Sequence, residues 1–219
     1  MTSTTYDALC SLAEEHGLLV MGALNPETTG DRDGGTLVLL GAGPGFWPGF
    51  LVAPESGDGR ADPIDRWSLR VIGGMADALG ATARYPFGGP PHAPFVAWAL
   101  ASGRAFSSPT GMLVHVEVGL MISYRGALHF PDRIPFPAPS RISPCGSCRD
   151  RPCLTACPVG AFSAQAPYDL GACHAYLDTT AGGDCLVHGC AARRACPVSA
   201  GAARTSGQSA LHMKAFHPK

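Results

Sequence analysis

Apolar residues recur at helical spacing over 5–17, where Tyr6, Leu9, Cys10 and Ala13 share one face and Gly17 supplies a C-terminal cap, so a helix is predicted there. The runs LLVMGAL (18–24) and TLVLLG (36–41) are short, continuously apolar and bounded by Gly, Asn and Pro. That pattern predicts buried strands. The clearest helical stripe is Ile64, Trp67, Val71, Met75 and Leu79, with Asp62 placed to cap it, Pro63 at its first position and Gly80 at its end. Gly73 and Gly74 weaken its middle. A shorter helix is expected over 93–103, and 112–130 reads as a pair of strands turning near Gly119.

Two stretches break this rhythm. Residues 41–63 are rich in Gly and Pro and follow a strand, which invites a dinucleotide-binding reading. The third glycine is misplaced, however, and Pro44 and Pro48 obstruct the helix that would receive the pyrophosphate, so a surface loop is the expectation. Residues 130–144 hold five prolines and read as an extended connector. The chain is therefore divided at 140: residues 1–140 as an α/β domain and 141–219 as a smaller one, α+β in overall class.

Composition sharpens that division. From Cys145 onward only ten of 75 residues are Leu, Ile, Val or Phe, below the roughly one-fifth with which a chain ordinarily builds a core. Bound metal is the usual remedy in small modules, because its binding free energy becomes folding free energy. Sixteen basic residues against seventeen acidic ones give no electrostatic footprint for nucleic acid, which is not expected as a partner. The first residues carry no basic leader, and no apolar run approaches the roughly twenty residues of a membrane span. The expected location is cytoplasmic, where thiols stay reduced and structural disulfides are rare.

Eight of the nine cysteines fall in this second segment. The first motif is Cys145-x2-Cys148-x4-Cys153-x3-Cys157-Pro158. Bacterial ferredoxins carry C-x2-C-x2-C-x3-C-P, in which three thiolates hold one iron-sulfur cluster and the fourth reaches a second. Here the middle spacing is two residues longer, filled by RDRP (149–152). The second motif is Cys173, then Cys185-x4-Cys190-x5-Cys196-Pro197. The repeated Cys-Pro ending suggests two halves that exchange their last ligands. One [4Fe-4S] cluster is then assigned to Cys145, Cys148, Cys153 and Cys196, the other to Cys157, Cys173, Cys185 and Cys190. Two four-cysteine zinc sites would consume the same eight thiolates, but zinc ribbons present paired C-x2-C units and one such unit exists here. Disulfides rank last. Arg149, Arg151, Arg193 and Arg194 stand beside the ligands as charge compensation or as solvated surface. His174 and His188 are read as surface residues, and Cys10 as a buried apolar side chain.

The order of CGSCRDRPCLTACPVGAF, CHAYL and GGDCLVHGCAARRACPVS after an α/β domain resembles the epoxyqueuosine reductases. The resemblance implies a cobalamin-binding domain related to flavin reductases, followed by a ferredoxin-like domain whose two [4Fe-4S] clusters feed electrons to cobalt. TLVLLG and GMLVHVEVGLMISYRGAL look like core strands of that family. Two departures stand against the tRNA reaction itself. The chain ends soon after Cys196, which suggests a short form without the helical repeats of tRNA-acting members. The family's acidic residue also has no counterpart in ARYPFGGPPHAPF, and a reduction that eliminates a hydroxyl needs a proton donor.

Two expectations follow. In the first, the clusters pass single electrons to a corrinoid or related cofactor held by the N-terminal domain, where His115, Tyr124 and Arg125 are the polar residues of interest. In the second, the chain is a ferredoxin-like carrier whose N-terminal domain docks a redox partner protein and holds no cofactor. The last residues, 201–219, suggest nothing specific.

Overall fold

The computed structural model describes residues 5–29, 34–139, 141–163 and 168–218. Residues 1–4, where no leader was expected, and Ser140, at the expected domain limit, lie outside them. In chain order the first elements are α1 (Tyr6–Glu15), β1 (Leu18–Leu24), β2 (Thr36–Ala42), α2 (Phe46–Leu51), α3 (Pro54–Gly57), α4 (Pro63–Leu79), β3 (Thr82–Arg84) and α5 (Phe95–Ala101). There follow β4 (Ala105–Ser107), β5 (Leu113–His115), β6 (Tyr124–Phe130), α6 (Leu170–Leu177), α7 (Gly183–His188), α8 (Ala191–Ala195) and α9 (Ser206–Phe216). Helices and small antiparallel sheets thus make up the described residues. None of these helices is long and apolar enough to cross a membrane.

The chain forms two units, and the division is not a single cut at 140. Residues 1–104 with 123–141 make the first, and 105–122 with 142–219 make the second.

The first unit is built on a four-stranded antiparallel sheet in the order β1-β2-β6-β3. Leu37, Val38, Leu39 and Leu40 of β2 are all essentially inaccessible, as a continuous apolar run requires. Helix α1 is capped by the Thr5 hydroxyl, which accepts from the Ala8 amide, and turns off at Gly17 with φ +70. Helix α4 ends as expected on left-handed Gly80, and Pro63 opens it. Asp62 does not cap it: this residue is itself left-handed, at φ 51, and its side chain accepts no bond from the helix.

The Gly- and Pro-rich stretch after β2 is also more than a surface loop. It holds α2 and α3, whose Phe46 and Phe50 are buried, the Phe46 ring meeting Trp67 edge-on at 5.0 Å. Burying such side chains is worth about 1.5–3 kcal/mol each. The proline-rich connector is fixed to this unit by the Ile134 amide, which donates to the Thr36 hydroxyl at 2.8 Å.

The expected strand pair over 112–130 does not form. Strand β6 pairs with β2 and β3, whereas β5 pairs with β4, and the intervening chain closes on itself through mutual His115–Gly119 backbone bonds. This gives the second unit the apolar residues it lacks. Val114 and Leu120 from that segment form a buried cluster with Cys153, flanked by Phe106, Met112, Cys145, Leu154 and Cys196. Left-handed Gly119 lets the backbone approach closely, since a Cβ there would stand 2.5 Å from the Ser199 amide nitrogen. The Leu120 amide donates to the buried Ser199 hydroxyl at 3.1 Å.

The final residues form α9, capped by Thr205 and packed against α7 with Gln208 and Ser209 buried. Just beyond it, His217 bonds His174 at 2.8 Å and Asp178 at 2.9 Å. His174 is therefore partly buried and partnered, not a free surface residue, while His188 is exposed and pairs with Asp184.

Candidate metal centre

The cysteines of the second unit are delivered by short turns and short helices. Cys145 lies in a 3-10 turn, Pro144–Gly146, which Ser143 caps by accepting from the Cys145 amide. Cys153 lies in another, Pro152–Leu154, entered from Arg151 at φ 42, a conformation sparse for any residue but glycine. Cys157 precedes Pro158 in an irregular turn closed by the Gly160 amide on the Cys157 carbonyl. Cys173 lies within α6, whose amino end is capped by the Asp169 carboxylate, and Cys185 within α7. Cys190 and Cys196 bracket α8, and Pro197 starts the 3-10 turn Pro197–Ala202 that carries Ser199. The nine cysteines are all free thiols.

By their electrostatic influence on one another the thiols fall into two sets. Ionised Cys148 and Cys196 would repel a thiolate at Cys145, and all three would repel one at Cys153. Cys157, Cys185 and Cys190 bear in the same way on Cys173. The first group lines one cavity of about 220 Å3, whose other walls include Val114, Leu120, Pro144, Pro152 and Pro197. That is several times the ~30 Å3 share of one water. Among the described residues, no three His, Cys, Asp or Glu side chains form a group that could hold a single metal ion.

The two groups differ in what meets their sulfurs. In the second, the Ala161 amide donates to the Cys157 Sγ at 3.3 Å, the Ala191 amide to Cys185, and the Tyr168 hydroxyl to Cys173. In the first, the Ser143 hydroxyl bonds Cys145 and the Cys153 amide meets its own sulfur, while Ser108, Ser147 and Arg151 stand among mostly apolar walls. Burial is the largest influence in both, pushing the thiols of Cys145, Cys153, Cys173 and Cys185 up. A bound cation would reverse that preference, because metal ligation takes the thiolate and releases the proton.

The arginines divide as well. Arg194 is engaged, pairing with Asp184 and donating to the Gly189 carbonyl at 3.1 Å. Arg151 favours ionised Cys145 electrostatically and makes no hydrogen bond or ion pair with any described residue. Arg149 is exposed.

The polar residues of interest in the N-terminal half do not form one constellation. His115 is fully buried in β5 of the second unit, accepting from the Glu117 amide through Nδ1 at 3.2 Å. Tyr124 and Arg125 belong to β6 of the first unit, where Arg125 pairs with Asp65 at 3.2 Å. The Tyr124 hydroxyl and Trp98 Nε1 are buried with no hydrogen-bond partner among the described residues, and both rings pack against Phe95. Cys10 is only half-buried, in α1, where it bonds Tyr6.

Compared with models of protein families, with curated proteins and with solved structures, the chain matches none of them.

Proposed function

We propose that the chain is an iron-sulfur redox protein, in which Cys145, Cys148, Cys153 and Cys196 hold one [4Fe-4S] cluster and Cys157, Cys173, Cys185 and Cys190 hold another. The observation that carries this reading is the sorting of eight thiols into two groups of four, each drawing its last member from the other motif. A zinc ion would need thiolates drawn to about 2.3 Å from one point. The first group instead walls a cavity of about 220 Å3, room for a larger inorganic core.

Such clusters supply single-electron storage, with a potential set by net charge, hydrogen bonds to sulfur and solvent exposure. The chain's part is to hold the thiolates, to keep water away with Val114, Leu120 and the prolines, and to steady the sulfurs by the amide and hydroxyl donors named above. Electrons are passed one at a time to a partner.

The recipient is either a redox partner protein or a corrinoid on the first unit. The second possibility is favoured by a sheet core in a unit that contributes none of the eight thiols, and by buried polar atoms at Trp98 and Tyr124 that meet no partner among the described residues. It also accords with the likeness of the cysteine motif to the epoxyqueuosine reductases. An unaccompanied carrier needs neither feature.

The reading is tested with Cys153→Ser and Cys173→Ser, purified anaerobically and reduced. Each variant is expected to lose one cluster, so iron falls by about half and one of two low-temperature paramagnetic signals disappears. Loss of both signals from both variants, or of neither, contradicts the grouping. Adding cobalamin to the intact protein decides the recipient: stoichiometric binding followed by cobalt reduction identifies the corrinoid, and no binding at micromolar concentration identifies the carrier.

A further inference from the structure

A second cavity, of about 580 Å3, opens in the second unit beside the thiol groups. Its size is that of small-molecule sites, which run from about 300 to 1,000 Å3. The walls are hydroxyl-rich: Ser107 ends β4, Ser108 and Thr110 come from the β4–β5 turn, and Tyr168 from the segment before α6. Arg151 supplies a positive charge, and among the described residues no wall residue is a carboxylate. Ser108 and Thr110 are themselves buried, 7% and 5% exposed, and bond each other at 2.8 Å. Whichever of the two accepts in that bond keeps its own O–H to offer.

We propose that this cavity binds a small oxyanion, a carboxylate- or phosphate-bearing molecule, and that the lengthened 149–152 segment is what equips it. A guanidinium with no partner among the described residues and the serine and threonine hydroxyls of the wall match that chemistry. Without the extra residues between Cys148 and Cys153 the site would have no cation on its wall. The location adds a consequence. Cys145 of the first group borders the cavity, and Tyr168 joins it to Cys173 of the second. If the groups hold clusters as proposed, each added electron places negative charge beside the bound anion. Reduction therefore weakens binding, and by reciprocity the anion lowers the potential.

The test is calorimetric titration of the oxidised, anaerobically purified protein with inorganic phosphate and with acetate, against chloride at matched ionic strength. Saturable binding of phosphate, acetate or both, at one per chain, is expected, and which of them binds identifies the natural headgroup. Arg151→Met is expected to weaken it about tenfold or more, as loss of a charged hydrogen-bond donor does, and Arg151→Lys to restore part of it. Ser107→Asp, on an exposed wall residue, is expected to abolish it without disturbing the thiols. An effect equalled by chloride, or binding untouched by both Arg151→Met and Ser107→Asp, overturns the proposal. Iron and sulfide are measured on the same samples. Anion binding by a chain without iron keeps the anion site and removes the cluster reading, and the converse result does the opposite.

Discussion

Ser199 shows how a single hydroxyl supports the centre from outside it. It follows Cys196 by three residues, is buried, and takes the Leu120 amide that would otherwise be orphaned beside the first thiol group. Ser199→Ala leaves that donor unsatisfied and is expected to cost about 1–3 kcal/mol, read as a lower denaturation midpoint. An unchanged midpoint would mean that another acceptor replaces it. The thiols make a second residue-scale prediction. Burial holds Cys145, Cys153, Cys173 and Cys185 above the ordinary thiol value of 9.0. In metal-stripped protein the folded chain therefore keeps protons that the unfolded chain gives up. That contribution is whole below pH 9.0 and is lost as pH rises through the raised values. Stripped protein is expected to lose stability as pH rises above 9.0, and Cys→Ser substitution of these four residues to flatten the loss. Local spacing made every one of these cysteines legible in the sequence. The caps were read less well, because Asp62 has the chemistry of a cap but a left-handed backbone that no composition reveals.

At the scale of elements, β1, β2 and β6 lie in stretches read as strands and owe their places to burial, whereas the short β3, which has no buried residue, was not read. The pairing of 112–130 was misread for a definite reason: Gly119 marks a real turn, but it closes on His115 over four residues and sends β6 to another sheet. Partner choice between strands is a non-local property that periodicity does not carry. Helices α2 and α3 were hidden by glycine and proline, whose breaking tendency was outweighed by burial of Phe46 and Phe50. The turns around the thiols carry their own prediction. The second group receives two amide donors and the Tyr168 hydroxyl, the first the Ser143 hydroxyl and the Cys153 amide, and donors to sulfur stabilise the reduced, more negative state. Two resolved potentials are expected, the second group's being the higher. Tyr168→Phe should lower that one alone in a redox titration followed by paramagnetic resonance. A single shared potential, unmoved by the substitution, would refute the asymmetry.

For the whole molecule, the poverty of apolar residues after Cys145 pointed rightly to a segment unable to build an ordinary core from its own sequence. The remedy is twofold. Residues 105–122 lend Val114 and Leu120 to the second unit, while the first unit keeps the sheet from which they are separated in sequence by only a few residues. Composition read in a linear window misses such a loan. The other part of the remedy is the inorganic core proposed for the two thiol groups, and the whole account turns on it. The most direct measurement is iron, acid-labile sulfide and zinc per chain in protein purified without oxygen. The account predicts about eight iron and about eight sulfide, for two cubes with four thiolates each. Zinc in place of iron with no sulfide, or eight thiols joined as disulfides with no metal, would contradict it.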